Sequence, residues 1–179
     1  MPREEFIEMR VGGLTLDPVT KTPIVILKDS DNKINLPIWI GLMEATSMAT
    51  ELEGIKMARP MTHDLLRSII DTLGGVVEAI EVTDLRESTY YAAICLAVNG
   101  RTVTIDSRPS DAISIALRSK SPDRPQGAPI FVAKKVLEAS STLQQKMEDP
   151  QEQNLSNISR DKWAEILEKM SPDDFKYKM

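Results

Sequence analysis

The chain has 179 residues, of which 41% are hydrophobic and 27% are charged, and its net charge is −5. This length allows one hydrophobic core and is too short for two full-sized domains. The net negative charge argues against a broad basic surface that binds nucleic acid through many phosphate contacts. If this protein acts on nucleic acid, it therefore needs a local basic groove, or metal ions that neutralise phosphate.

The sequence predicts neither a secretory signal nor a membrane span and contains a single cysteine, and these features favour a cytoplasmic protein. Charges throughout the first ten residues leave no apolar segment of a secretory signal, and no run of about 18 apolar residues predicts a membrane span. Cys95 is the only cysteine. A single cysteine excludes an internal disulfide and a zinc site built on several thiolates. Its apolar neighbours predict a buried, unreactive side chain.

The N-terminal part of the sequence predicts a strand, a loop and a hairpin. Residues 6–12 have the composition of a strand, and residues 14–23, with two prolines, predict a loop. Residues 24–27 and 34–40 predict the two arms of a hairpin. Pro37 in the second arm implies an edge position or a bulge, because proline cannot donate a hydrogen bond to a sheet.

Two helices are predicted after this hairpin. The first extends from Met43 to Glu53 and ends at Gly54. The second has Thr62 as its N-cap and ends at a pair of glycines. Its apolar side chains share one face of the helix; they are Leu65, Leu66, Ile69, Ile70 and Leu73.

The following segments predict three strands and a third helix. The strands cover residues 76–83, 89–98 and 102–106, and Asn99-Gly100 between the last two is a strong hairpin signal. The helix extends from Asp111 to Arg118. Together with the earlier segments, these elements predict an α+β domain.

The C-terminal part of the sequence predicts less regular structure. A short strand at 130–132 and a short helix at 134–138 complete the predicted domain, residues 1–139. Residues 140–158 are polar and predict a linker. Residues 159–179 predict an amphipathic helical tail that docks on the domain or on a sister subunit.

His63, the only histidine, lies near the start of the second predicted helix. An imidazole titrates near neutral pH, so His63 can act as a general acid or base beside a phosphate held by Arg59. The free N–H groups of the helix start also favour an anion there. The alternative is a structural histidine that hydrogen-bonds a neighbouring carboxylate or carbonyl, with Asp64 stabilising the helix dipole.

Asp106, Arg108 and Asp111 form the tightest polar cluster, at a junction between a strand and a helix. Carboxylates at such a junction can hold Mg²⁺ or Mn²⁺, and Arg108 can clamp a phosphate. Glu44, directly after a predicted strand, can add a third carboxylate. The alternative is a structural ion pair in which Arg108 and the two aspartates stabilise the helix start.

Four segments of this sequence, taken in order, resemble the bifunctional nuclease domain family over roughly residues 6–139. They are GLTLDP at 13–18, PIWIG at 37–41 with Glu44 and Ala45, RPMTHDL at 59–65 and DSRPSDAI at 106–113. The helical tail does not match the excision-repair-like segment that some members of the family carry.

This resemblance implies an α+β domain with a mixed, antiparallel or barrel-like sheet flanked by short helices. It also implies self-association, with a dimer favoured, and nuclease activity on DNA and RNA. The motif positions that carry over from the family are Glu44, His63, Asp64, Asp106, Arg108 and Asp111.

Two hypotheses follow. In the first, the protein is a metal-assisted nuclease. Asp106, Asp111 and Glu44 bind Mg²⁺ or Mn²⁺, Arg59 and Arg108 bind phosphate, and His63 and Asp64 complete the catalytic group. This hypothesis requires these side chains to converge within about 12 Å.

In the second hypothesis, the protein is a non-catalytic, oligomeric binding or regulatory module. The same polar residues then stabilise helix starts and a subunit interface. This hypothesis predicts carboxylates that are buried and paired with arginine, without an open cleft. A third option is metal-independent RNA cleavage that uses His63.

Overall fold

Seven strands and four helices make up residues 5–147, the part of the chain that the computed structural model describes, with side chains described to residue 141. The strands are β1 (Phe6–Leu16), β2 (Pro23–Asp29), β3 (Asn35–Trp39), β4 (Gly75–Arg86), β5 (Thr89–Val98), β6 (Arg101–Ser107) and β7 (Ile130–Ala133). The helices are α1 (Leu42–Leu52), α2 (Thr62–Thr72), α3 (Pro109–Arg118) and α4 (Lys134–Met147).

The strands form one mixed sheet in the order β3-β2-β1-β7-β4-β5-β6. Strands β1 to β3 and strands β4 to β6 form two antiparallel meanders, and β7 lies between them. Strand β7 is antiparallel to β1 and parallel to β4. The predicted α+β fold is confirmed. The sheet is open, with β3 and β6 as its edges, and does not close into a barrel.

Two local predictions, a hairpin turn and an edge strand, are confirmed. Asn99 and Gly100 both have positive φ angles, 51° and 73°, which is the conformation of a type I′ hairpin turn. Pro37 lies in β3, an edge strand, where a missing N–H costs no hydrogen bond on the outer side.

The hydrophobic core lies between one face of the sheet and the helices, with α3 at the centre of the helical layer. Residues 112–117 of α3 are all buried, and α3 packs against α1, α2, β4 and β5. The largest fully buried side chains include Leu27, Leu36, Met48, Ile80, Ile113 and Ile115. The two ends of this buried helix carry the polar residues of the site described below.

Two predicted boundaries were wrong by four residues or more. Strand β1 continues to Leu16, because a shift in register between Val11 and Gly13 lets the following residues pair with β2. Helix α4 continues to Met147, so the first residues of the predicted linker are helical. Val136 and Ser140, four residues apart, are buried on one face of α4. The rest of the linker, from residue 148, and the predicted tail lie outside the described residues.

Helix α2 also differs from its prediction. Its N-cap is Met61 and not Thr62, and the Met61 N–H donates to Asp64 Oδ2 at 2.8 Å. Most of the apolar side chains of α2 point to solvent, whereas His63 is its buried residue. No helix in residues 5–147 is both long enough and apolar enough to cross a membrane.

Candidate functional site

The candidate site lies where the first turns of α1, α2 and α3 meet. Each of these turns carries one acidic residue: Glu44, Asp64 and Asp111. A carboxylate is favourable at this position because the free N–H groups give a helix start a partial positive charge. Contacts of α3 with both other helices bring the three turns together.

Arg108, the N-cap residue of α3, joins two of these carboxylates. Its Nε donates to Asp111 Oδ2 at 2.8 Å, and its Nη2 donates to Asp111 Oδ1 at 3.2 Å. Its Nη1 lies 2.9 Å from Glu44 Oε1. The Arg108 side chain is 64% exposed, and these contacts leave an N–H on each terminal nitrogen free for a further acceptor.

His63 is held on both sides. Its Nε2 lies 3.0 Å from Asp111 Oδ1, and its Nδ1 lies 2.8 Å from Ser47 Oγ. An ionised carboxylate only accepts hydrogen bonds, so Nε2 carries the proton. In the neutral ring, Nδ1 then accepts the hydroxyl hydrogen of Ser47. The residue is only 8% exposed, so its ring is fixed by these two bonds and by packing.

These contacts keep Asp111 ionised. Burial raises the pKa of its carboxyl, but the hydrogen bonds from Arg108 and His63 and the positive charge of Arg108 outweigh that effect, so the pKa lies below its ordinary value. The opposite shift occurs at Arg108, whose pKa is raised because Asp111 accepts its hydrogen bonds. Asp111 is therefore an anion that links the imidazole to the exposed guanidinium.

A second ion pair lies beside the first. Arg118, in the last turn of α3, donates from Nε to Asp64 Oδ1 at 2.5 Å and from Nη2 to the Ser47 carbonyl at 3.0 Å. Burial raises the pKa of Asp64, but the hydrogen bonds from Arg118 and from the Met61 N–H lower it by more. Since Ser47 contacts both His63 and Arg118, the two ion pairs belong to one continuous polar network.

Arg59 lies next to this network, in the segment between α1 and α2. With Lys56, Asp64 and Arg118 it lines a cavity of about 340 Å³. Its segment also contributes Pro60, and Ser68 lies on the facing turn of α2. This cavity brings a basic residue predicted to bind phosphate close to the Asp64–Arg118 pair.

The profile of the bifunctional nuclease domain matches residues 25–145 of this chain. The chain belongs to the bifunctional nuclease domain family. All the predicted site residues, from Glu44 to Asp111, lie within the matched region.

Similar proteins extend the comparison. An uncharacterized protein of Mycobacterium tuberculosis is 35% identical over 173 residues, which cover 94% of this chain and 98% of that protein. Bifunctional nuclease 1 of Arabidopsis thaliana is 32% identical over 114 residues, 62% of this chain and 35% of the plant protein. Bifunctional nuclease 2 of Oryza sativa subsp. japonica is 30% identical over 114 residues, with the same coverage. The plant proteins thus share about a third of their length with this chain.

One predicted site residue of this bifunctional nuclease domain, Asp106, lies apart from the network. It pairs with Ala93 on β5, whereas Ile105 pairs with Ile94 in the core. Successive residues of a strand point to opposite faces, so Asp106 points away from α1, α2 and α3. It lines a different cavity, of about 790 Å³, with Asp84 and other residues of that face.

The predicted metal set of Glu44, Asp106 and Asp111 is therefore not assembled in the described residues. Among these residues, no group of three or more histidine, cysteine, aspartate or glutamate side chains is arranged to hold a metal ion. Glu44 and Asp111 do converge, since both contact Arg108.

Sequence reasoning missed two members of the network, Ser47 and Arg118. Ser47 lies among small residues of α1 and carries no motif. Arg118 is seven residues after Asp111 and therefore lies on the same face of α3. This spacing was a weak indication that Arg118 belongs to the same network. Both contribute through contacts with distant segments, which a single sequence does not reveal.

Proposed function

We propose that this chain hydrolyses phosphodiester bonds of DNA or RNA at the network of Glu44, His63, Arg108 and Asp111. Membership of the bifunctional nuclease domain family supports this kind of activity. The observation that carries the proposal is the contact of one exposed arginine with two carboxylates, one of which a buried histidine holds in place.

Phosphate binding falls to Arg108 and Arg59. A guanidinium binds phosphate oxygens through several N–H donors in a fixed geometry, and Arg108 retains donors on both terminal nitrogens. Arg59 lines the neighbouring cavity and can hold a second phosphate of the strand. Arg108 and Arg59 are therefore the two phosphate contacts that this proposal assigns to an acidic protein.

The two carboxylates supply the acceptors for the attacking water. The water oxygen forms the new bond to phosphorus, and a carboxylate accepts a proton from the water. The bond to the leaving sugar oxygen breaks, and that oxygen takes up a proton from solvent. His63 fixes the orientation of Asp111 through its Nε2–H, in the way that a carboxylate and an imidazole orient each other in hydrolases.

A divalent ion fits this arrangement in part. Mg²⁺ is often bound by one or two carboxylates, with water and substrate phosphate completing its shell. Glu44 and Asp111 provide two such ligands, and Asp106 is not required. When bound, Mg²⁺ or Mn²⁺ would stabilise negative charge on the phosphate.

The test is cleavage of labelled single-stranded DNA and RNA by the purified full chain, with Mg²⁺, with Mn²⁺ and with EDTA. We expect Asp111→Asn to reduce the rate about a hundredfold or more, because it weakens the bonds to both His63 and Arg108. Asp106→Asn is the matched control, since it makes the same chemical change on the opposite face of the sheet, and it should retain the wild-type rate.

Thermal melts of both variants establish that they are folded. Equal loss of activity in the two variants would place the reaction elsewhere. Full activity of folded Asp111→Asn would indicate another site or a contaminating nuclease. Activity that persists in EDTA and is lost in Asp111→Asn would support hydrolysis without a metal ion.

A second candidate function is a non-catalytic binding or regulatory module. It is favoured by the pairing of Glu44, Asp64 and Asp111 with arginine and by the burial of His63. Such pairing is also what a purely structural network requires. Absence of cleavage under every condition, with both nucleic acids, would favour this function.

A further inference from the structure

The hydroxyl of Ser47 lies at the buried end of the polar network. Ser47 is only 2% exposed, and its Oγ lies 2.8 Å from His63 Nδ1. From there the network leads through His63 and Asp111 to Arg108, whose side chain is 64% exposed. The groups at the exposed end of the network are therefore connected to one that solvent hardly reaches.

Ser47 uses its hydroxyl differently from several other serine and threonine residues of the described helices. Four of these residues donate to the carbonyl four positions earlier in the chain; they are Thr46, Ser68, Thr72 and Ser119. Such a bond is a common choice for a hydroxyl in a helix. The hydroxyl of Ser47 instead bonds a side chain of another helix, α2.

The backbone of Ser47 is also held in place. Its carbonyl accepts hydrogen bonds from Arg118 Nη2 at 3.0 Å and from Thr50 Oγ1 at 2.9 Å. The residues on either side of it, Thr46 and Met48, are buried. Ser47 is thus a well-anchored residue, and a hydrogen bond from such a residue can orient a neighbouring ring.

Two hydrogen bonds on different sides of the imidazole fix its rotation. The bond from Nε2 to Asp111 alone would let the ring tilt about that contact, and the bond from Ser47 to Nδ1 supplies a second point of attachment. A ring rotated by half a turn would place carbon atoms where the two nitrogen atoms now bond. Both hydrogen bonds would then be lost.

Asp111 receives this orientation from the ring. Its Oδ1 accepts from His63 Nε2 at 3.0 Å, so a shift of the imidazole moves or releases that oxygen. Arg108 depends less on this contact, because it also bonds Asp111 Oδ2 and Glu44. A displacement of about 1 Å in a reacting group can lower a rate about a hundredfold.

We propose that Ser47 is a positioning residue of the candidate site. Its hydroxyl fixes the rotation of the His63 ring, and the ring in turn fixes the Asp111 carboxylate against the attacking water. Ser47 itself does not contact the substrate, since it is buried. The effect of Ser47 on the rate rests on the proposed function, whereas its effect on the ring does not.

The first test observes the ring directly. His63 is the only histidine, so the ¹⁵N-labelled full chain without a histidine tag gives the imidazole signals of one residue. Long-range ¹⁵N–¹H correlation spectra of wild type should show the proton on Nε2. In Ser47→Ala we expect the Nδ1 signal to move downfield. The Nε2 proton should exchange with water about tenfold faster, because the ring has lost one hydrogen bond.

Thr46→Val is the matched control for Ser47→Ala. Thr46 is the preceding residue of α1 and is 8% exposed, and its hydroxyl donates to the Leu42 carbonyl. This substitution removes a buried hydroxyl from the same helix, and the printed hydrogen bonds of His63 do not involve it. The ring signals of Thr46→Val should be those of wild type, and thermal melts establish that both variants are folded.

The second test compares steady-state constants for cleavage of a labelled single strand. Ser47→Ala should lower kcat about tenfold and leave KM within about twofold, because the arginines that bind phosphate remain. Ser47→Thr keeps a hydroxyl on the same carbon atom and should recover the wild-type ring signals and kcat. Thr46→Val should retain the wild-type kcat.

Altered ring signals and a lower kcat in Ser47→Ala, with recovery in Ser47→Thr, would support the proposal. Ring signals of Ser47→Ala that match those of Thr46→Val would overturn it, whatever the rate. Altered ring signals with a wild-type kcat would also overturn it, because the ring would then not position a reacting group. A wild type that cleaves neither DNA nor RNA would overturn the proposed function, and the spectra would still decide whether Ser47 orients His63.

Discussion

At the scale of single residues, the site is organised by charge compensation in a partly buried place. Asp111 loses hydration through burial, and it remains ionised only because Arg108 and His63 donate hydrogen bonds to it. Removing one partner of such a group leaves the others unsatisfied. Under the proposed function, the same contacts serve the reaction and stabilise the fold, and measurements of rate and of stability against pH separate the two roles.

The lowered pKa of Asp111 predicts how stability depends on pH. A carboxyl whose pKa is lower in the folded state stabilises the fold above its unfolded pKa, and this contribution disappears as the pH falls through the folded pKa. The ordinary value is 3.8, so the free energy of unfolding should fall below about pH 4. In Asp111→Asn the decline between about pH 4 and pH 2 should be shallower.

Urea unfolding at a series of pH values checks this prediction. Asp31→Asn is the control, because Asp31 is exposed and its ion pair in the described structure is with the exposed Lys33. An identical acid decline in wild type and Asp111→Asn would mean that the Asp111 contacts do not contribute to stability.

Replacing Arg118 is expected to lower the free energy of unfolding at neutral pH. Its side chain is only 5% exposed and contacts Asp64 and the carbonyls of Ser47 and Ser114. Arg118→Met keeps most of the apolar stem but leaves these acceptors without a donor. We expect a loss of about 2 kcal/mol, less than for a fully buried pair because water still reaches Asp64.

Denaturant unfolding at neutral pH measures this loss. Arg10→Met serves as the control, since Arg10 is exposed and donates a single hydrogen bond, to Asn32, within the described structure. A loss at Arg118 no greater than at Arg10 would contradict a structural role for the Arg118 contacts.

At the scale of elements, the loop after α3 fixes the end of that helix. Gly127 has a φ of 106°, and a Cβ at this position would collide with the backbone carbonyl of Ala116. The neighbouring Ala128 N–H donates to the same carbonyl at 3.0 Å. The glycine is therefore required both by its backbone angle and by the close approach of the loop to α3.

Gly127→Ala is expected to destabilise the protein by about 3 kcal/mol or more, since the backbone must move to relieve the collision. Gly54→Ala is the matched control, because Gly54 has a φ of 64° but open space around it. Its cost should be about 1 kcal/mol. Thermal or urea unfolding compares the two, and equal losses would show that the φ angle alone matters.

At the scale of the whole molecule, the net charge of −5 limits how nucleic acid can bind. If Arg59 and Arg108 are the phosphate contacts, about two counterions are released from a single strand. The logarithm of the binding constant should then fall with the logarithm of salt concentration with a slope of about −1.4. Arg59→Gln should reduce the slope to about −0.7.

Fluorescence anisotropy with a labelled single-stranded oligonucleotide measures this slope. EDTA is present so that no metal-dependent cleavage occurs during the measurement. Arg86→Gln, an exposed arginine that lines the cavity of Asp84 and Asp106, is the control and should retain the wild-type slope. A slope of about −3 or steeper would indicate a wider basic surface than these two arginines.

Much of the fold followed from local signals in the sequence. Asn99-Gly100 encodes a type I′ turn because both residues tolerate positive φ, and Pro37 encodes an edge because it lacks an N–H. The span of α1 followed from its composition and from Gly54 at its end. These features depend on a residue and its neighbours in sequence, so a single chain determines them.

For the candidate site, the sequence indicated which residues take part better than it indicated how they are arranged. Glu44, His63, Arg108 and Asp111 were recognised as motif positions, and they meet. Asp106 was grouped with Asp111 because they are close in sequence. Strand β6 ends between them, and the alternation of side chains along that strand sends Asp106 to the other face.

What only the tertiary structure decided depends on contacts between distant segments. Ser47 reaches His63 across 16 residues, and Arg118 reaches Asp64 across 54. The amphipathic pattern of α2 determined that its apolar side chains share a face. The packing of α3 over the sheet decided that this face points outward, because α3 and α1 already cover the core. A periodic pattern specifies which side chains lie together, and the surface that they meet is set by the whole fold.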